Sequence, residues 1–283
     1  MFKKITIIGV GLIGGSIGMA LKKKRLAGTV TGVSRRESSR RKALKYGAVD
    51  EATRDIKRAV TGADLVIIAA PVGKIANLAK SCVSFMKKGA ILTDVGSVKK
   101  GLVGEIERLA RGKVNFIGSH PMAGSDRKGV RNASGGIFKG AAVIITKTAK
   151  TDKKALETLA GFWKRLGSRA LVLSPEKHDR LAALASYLPH AVSFATALSQ
   201  NKNSLKFAAG SLRDTTRVAS SDGDLWSDIF LSARRETLEA ISVFMKNLKA
   251  LERAIGKNDR KQLRALLEKA KAVRDGFLVR DKR

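Results

Sequence analysis

Residues 9–16 read GVGLIGGS, with glycines at 9, 11 and 14 in a G-x-G-x-x-G pattern. The apolar run KITIIGV leads into it and the helical pattern GGSIGMALKKK leads out. A strand that turns into a helix over three such glycines can fold in few ways. Gly9 permits the tight turn, Gly11 lets the backbone approach a pyrophosphate, and Gly14 lets helix and strand pack closely. The helix N-terminus then faces the phosphates. Gly9, Gly11, Leu12, Ile13 and Gly14 are therefore expected to hold a dinucleotide.

The pattern continues as strand and helix in turn. GTVTGVS, ADLVIIAAP, GAILTDVGS, VNFIGSH, AAVIITK and RALVLS read as strands, with helical stretches such as SSRRKALKYG and GKIANLAKSCVSFM between the earlier ones. ADLVIIAAP is apolar throughout, as befits a parallel strand covered on both faces. This alternation predicts an α/β fold, a doubly wound sheet of the Rossmann type, over residues 1–174. At Ser174-Pro175-Glu176 the character changes. Serine is a good N-cap and proline a good first helical residue, and no strand pattern follows. Ile241, Phe244, Leu248, Leu251 and Ile255 recur at helical spacing, as do Leu263, Leu266, Leu267 and Ala270. Residues 175–283 are expected to form an all-α domain whose long amphipathic helices pair with a second copy. The C-terminal residues read as helix, not as an appended regulatory domain.

The end of the second strand bears on the cofactor. A carboxylate there would bind the ribose 2′-hydroxyl of NAD, but this chain reads Ser34-Arg35-Arg36. Arginine suits a 2′-phosphate, so NADP is the expected cofactor. NAD stays open, because Glu37 follows and the whole chain is rich in arginine. Pro71, at the end of ADLVIIAAP, completes the expected cofactor cleft.

Composition narrows the remaining classes. Lysine and arginine total 56 against 24 acidic residues, a net charge of +32. Such a field attracts polyanions. The basic residues are spread along the chain without interleaved aromatics, so they read as a solvated surface with no specific nucleic-acid partner. The single cysteine, Cys82, rules out an internal disulfide and a cysteine-rich metal centre. It fits a cytoplasmic location, and no metal is expected. Residues 5–21 are glycine-rich and slightly short for a membrane span, and no other segment comes closer. The chain is expected to be soluble.

Only three histidines occur. His120 lies in GSHPMAGSDRKGV, at the end of a predicted strand, where a parallel sheet binds ligands. A neutral histidine is suited to accepting a proton near pH 7. The stretches GVGLIGGS, TDVGSVK, GSHPMAGSDRKGV, LPHAV, DTTRVA and LWSDIF occur in this order. Together they resemble the prephenate and arogenate dehydrogenases of tyrosine biosynthesis, over residues 4–245. That resemblance implies an oxidoreductase with an N-terminal dinucleotide domain and a C-terminal dimerisation domain. It also implies oxidative decarboxylation of prephenate to 4-hydroxyphenylpyruvate, or of arogenate to tyrosine.

Carried over by the same resemblance, His120 is the catalytic histidine and Ser97 the serine that orients it. His190 binds substrate, Arg217 holds a substrate carboxylate, and Asp126 and Asp214 pair with that arginine to gate the pocket. Trp226 lies near the substrate side chain. Ser97 also reads as a helix N-cap, and His178 as structural. Many relatives have SHLPH where this chain has SYLPH, which puts Tyr187 at a substrate-binding position and opens the choice between prephenate and arogenate. Retention of His190 favours prephenate. Two other readings are a two-domain hydroxyacid dehydrogenase using NADP and a basic nucleic-acid-binding protein built on a nucleotide fold.

Overall fold

The computed structural model describes residues 2–124 and 127–281. Six parallel strands form the first sheet: β1 (Phe2–Ile8), β2 (Ala27–Val33), β3 (Glu51–Thr53), β4 (Leu65–Ile68), β5 (Ile91–Asp94) and β6 (Asn115–Phe116). Their order is β3-β2-β1-β4-β5-β6. The helices between them are α1 (Leu12–Lys23), α2 (Glu37–Lys45), α3 (Ile56–Val60), α4 (Val72–Val83) and α5 (Lys100–Ala110). Strand order reverses between β1 and β4, and the crevice outside their carboxyl ends is where such sheets bind ligands.

Side-chain alternation explains why the central strands are apolar throughout. Leu65 and Ile67 point into one core with Ile5, Ile7 and Ile17. Val66 and Ile68 point into the opposite core with Ile8, Ile75 and Leu92. All four β4 residues are fully buried. The short strand β3, over EAT, was not anticipated. Three residues with a charged first position carry too little pattern to read.

One expected strand is two. The run VNFIGSH supplies β6 to the first sheet and β7 (Ser119–Pro121) to a second sheet of order β7-β8-β9. Its other strands are β8 (Ala142–Thr146) and β9 (Arg169–Leu173), with α6 (Lys153–Leu166) between them. β7 runs antiparallel to β8, and β8 parallel to β9. The doubly wound sheet thus ends at β6. The bend falls at Gly118, where a Cβ would lie 2.7 Å from Thr146 Oγ1, so only glycine lets the chain pass. After the bend, Ser119 is pinned by Thr93 Oγ1 at 2.9 Å and by Trp163 Nε1 at 3.1 Å. His120 follows directly.

The next stretch is one continuous helix of three parts. α7 (Pro175–Ala182) passes through a π-helical turn (Ala183–Tyr187) into α8 (Leu188–Leu198). Ser174 caps it as expected, accepting from the Lys177 amide at 3.2 Å. By length and composition this helix is apolar enough to cross a membrane, which corrects the expectation that residues 5–21 come closest. Its first turns are instead packed against protein, with His178 and Asp179 buried. Three further helices follow, α9 (Lys202–Leu205), α10 (Gly210–Thr216) and α11 (Gly223–Ser232).

By packing, the chain divides into residues 1–234 and 235–283. The second unit holds α12 (Arg234–Gly256) and α13 (Arg260–Asp281). Asn258 turns the chain between them at φ 52°, a conformation that asparagine tolerates.

Candidate active site

The glycine loop has the geometry a pyrophosphate needs. Gly9 has φ +97°, and a Cβ there would come 2.2 Å from the Ala69 carbonyl oxygen. At Gly14 a Cβ would come 2.1 Å from the Gly9 carbonyl oxygen. Gly11 is the opposite case, with nothing within 4 Å of its Cβ position. It stands at the N-cap of α1 with no capping side chain and no acid in the first turn. The first amides of α1, at Leu12 and Ile13, are thus available to an anion. A dinucleotide fits this cradle.

Beyond β2, the Ser34 amide donates to the Thr53 carbonyl at 3.1 Å. Arg40 donates to the carbonyls of Ser34 and Arg35, each at 2.9 Å, and so fixes the loop. Arg35 and Arg36 stay exposed. The carboxylate of Glu37 is engaged by Arg41 on the next turn. Pro71 precedes α4 at the carboxyl end of β4, near Ala69 and Gly9.

His120 is only 8% exposed. Its Nδ1 lies 2.8 Å from His178 Nε2. His178 Nδ1 in turn lies 2.6 Å from Asp179 Oδ1. Asp179 also accepts from the backbone amides of Lys99 and Lys100, each at 2.8 Å. Burial holds the His120 ring well below the ordinary histidine range, and His178 and the Lys99 ammonium add to the effect. The ring is therefore neutral at pH 7 and able to accept a proton. Lys99 is itself fully buried and paired with Asp94. Burial lowers its ammonium and Asp94 opposes that shift.

Ser97 is placed differently from expectation. The cap of α5 is Lys99, so Ser97 is not an N-cap. His120 Nδ1 is held by His178, and among the described residues the Ser97 hydroxyl has no hydrogen-bond partner. The Ser97 carbonyl accepts from the Tyr187 phenol at 2.6 Å. Tyr187 is fully buried and braces the Ser97 loop.

A second group sits further along the same helix. His190 stacks on Trp226 with ring centroids 3.6 Å apart and planes 22° from parallel. Its Nδ1 lies 2.9 Å from the Ser186 carbonyl, so Nδ1 carries the hydrogen and Nε2 is an acceptor. Burial lowers the pKa of His190, and nearby Arg217 adds to this while the Ser186 bond opposes it. Arg217 is exposed just past the end of α10. Asp214 is exposed on α10, and among the described residues no ion pair joins it to Arg217. Asp126 lies outside the described residues.

Comparison with known proteins decides the family. The nucleotide-binding domain of prephenate dehydrogenase matches residues 17–172, and the dimerization domain of prephenate dehydrogenase matches residues 174–269. This chain belongs to the prephenate dehydrogenase family. The prephenate dehydrogenase of Bacillus subtilis is 34% identical over 98% of this chain and 77% of its own length. The cyclohexadienyl dehydrogenase of Zymomonas mobilis is 34% identical over 92% of this chain and 90% of its own. The prephenate dehydrogenase of Aquifex aeolicus, solved with hydroxyphenyl propionate and NAD+, superposes with a TM-score of 0.91 at 32% identity. That match covers 98% of this chain and 99% of the other.

Within this prephenate dehydrogenase family member, sequence reasoning took His178 as structural and missed Asp179, Lys99 and Asp94. The signal for His178 and Asp179 was present. HD occupies the first turns of a well-capped helix, in a chain with three histidines. For Lys99 there was none, because one buried lysine cannot be picked from 56 basic residues.

Proposed function

We propose that this chain oxidatively decarboxylates prephenate, with His120 accepting the proton of the ring hydroxyl. The observation that carries the reading is a buried, neutral histidine on β7 held by His178, in a chain whose glycine loop is shaped for a dinucleotide. Gly9, Gly11, Leu12, Ile13 and Gly14 hold the pyrophosphate, and Pro71 borders the cleft. A bound oxidised nicotinamide supplies the hydride acceptor. His120 takes the hydroxyl proton as the carbinol carbon becomes a carbonyl carbon. The ring carboxylate leaves as carbon dioxide, its bonding electrons pass through the ring onto the carbonyl oxygen, and that phenolate oxygen takes the proton back from His120, so the aromatic product is a phenol. Arg217 binds a carboxylate of the substrate, and arginine suits that task through its planar fork. Ser97, with a hydroxyl not engaged by described protein groups, hydrogen-bonds the substrate hydroxyl. Trp226 and His190 receive the side chain.

Two finer points follow from particular residues. Exposed Arg35 and Arg36, with Glu37 engaged by Arg41, favour NADP over NAD. Arogenate is the second substrate reading, because Nε2 of His190 is an acceptor and suits its ammonium group. The working form is a homodimer. The long helix α12 exposes Leu238, Val243, Leu248 and Ile255, apolar surface suited to a second copy.

The test is to mix the purified protein with prephenate or arogenate and with NADP or NAD, and to follow reduction of the nicotinamide. Prephenate with NADP is expected to be fastest. No reduction in any of the four pairs from folded protein overturns the reading.

A further inference from the structure

We infer that His178 and Asp179 are positioning residues that fix the tautomer of His120, aim its Nε2 at the substrate hydroxyl, and offset the charge that develops when it takes the proton. The inference rests on the proposed role of His120 and adds to it the machinery that makes the ring a base at one defined atom.

The chain of contacts leaves one consistent assignment. Asp179 accepts from the amides of Lys99 and Lys100, one on each oxygen. Its Oδ1 also faces His178 Nδ1 at 2.6 Å, and an ionised carboxylate can only accept. His178 therefore carries hydrogen on Nδ1. In a neutral imidazole the other nitrogen is then an acceptor. That nitrogen, Nε2, faces His120 Nδ1 at 2.8 Å, so His120 must donate there. The free lone pair of His120 is thus on Nε2. The opposite set, with a charged His178, puts a second cation beside His120 in a site that already holds the buried Lys99 ammonium.

The groups come from different parts of the fold, which argues against accident. His120 is on β7, His178 and Asp179 on α7, and the two amides at the start of α5. His178 and Asp179 are 0% and 1% exposed. A buried carboxylate is costly unless its acceptors are filled, and here the protein fills them with two amides and the ring that holds the base. When His120 gains a proton at Nε2, its Nδ1–H stays shared with His178. The carboxylate at the far end then lies in line with the new positive charge. The arrangement lengthens by one imidazole the histidine–carboxylate pairing by which other enzymes set a base.

Two measurements test this. The first is independent of turnover: nitrogen NMR of the histidine rings in the wild-type protein. Hydrogen on His120 Nδ1 with a bare Nε2 supports the inference, and hydrogen on Nε2 overturns it. The second compares His178→Phe, which removes the acceptor, with His178→Gln, whose amide oxygen reaches the same place. His178→Phe is expected to lower kcat about 100-fold, with KM and coenzyme binding changed less than about threefold, as when the partner of a functional histidine is removed. His178→Gln is expected to regain about tenfold of that loss. A His178→Phe enzyme within about twofold of wild type in kcat overturns the inference, as does an equal loss in both variants. Failure of the wild-type enzyme in all four substrate pairs overturns the proposed function instead, and the ring tautomer still decides this inference.

Discussion

The Tyr187 phenol donates to the Ser97 carbonyl across 2.6 Å, tying the end of the π-helical turn to the loop after β5. Nine residues earlier on the same helix, His178 reaches His120. One helix therefore braces both the Ser97 loop and His120.

Removing that brace has a defined cost. Tyr187→Phe leaves the Ser97 carbonyl without its donor and is expected to lower stability by about 1–3 kcal/mol, the usual penalty for an orphaned polar group. Denaturant unfolding with unchanged slope reads this directly. Unchanged stability means that water replaces the phenol without loss.

His120→Asn tests the proton acceptor. Turnover is expected to fall about 10²–10⁴-fold, the range for loss of a general base. Coenzyme affinity, read by fluorescence titration, stays within about threefold because the dinucleotide loop is untouched. Near-normal turnover removes His120 from the chemistry.

The pH dependence has a fixed sign. The folded His120 ring titrates well below the ordinary value of 6.5. The base therefore stays competent on mild acidification, and kcat is expected to change less than about twofold between pH 8 and pH 6 on account of His120. Stability behaves differently. Below pH 6.5 the unfolded ring binds a proton that the buried ring refuses. The contribution is full above that pH and is lost as pH falls toward the folded value, by up to about 1.4 kcal/mol per pH unit. Unfolding midpoints of wild type and His120→Asn should converge as the pH is lowered through this window.

The glycines separate folding from binding. Gly14→Val drives a side chain against the Gly9 carbonyl and is expected to unfold the domain. Gly11→Val meets no protein atom within 4 Å of its Cβ. It should keep a near-normal melting temperature while weakening coenzyme binding by about tenfold or more, since the backbone can no longer approach the pyrophosphate. Equal effects of the two variants contradict this division of roles.

Cofactor choice rests on the loop after β2. Replacing Arg35 and Arg36 by serine and alanine is expected to raise KM for NADP about tenfold or more and to leave KM for NAD nearly unchanged. Parallel changes for both coenzymes contradict a 2′-phosphate role for these arginines.

Local pattern carried the fold as far as β6, except for the short β3. The glycine loop, the apolar β4 and the cap at Ser174 each follow from a few neighbouring residues, and each is found. The division of VNFIGSH between two sheets does not, because the reason for it is Thr146 standing over Gly118 from a distant strand. The site shows the same contrast. His120 is buried on β7, and His190 stacks on Trp226. The grip on His120 comes from His178, 58 residues away, and not from Ser97. Tyr187 turned inward to a backbone carbonyl, which its position in SYLPH did not reveal.

The most direct measurement is the stoichiometry of one turnover with prephenate. The account predicts one carbon dioxide and one 4-hydroxyphenylpyruvate for each nicotinamide reduced, with all three lost together in His120→Asn. Reduced nicotinamide without carbon dioxide would identify a plain alcohol oxidation and contradict the decarboxylating dehydrogenase described above.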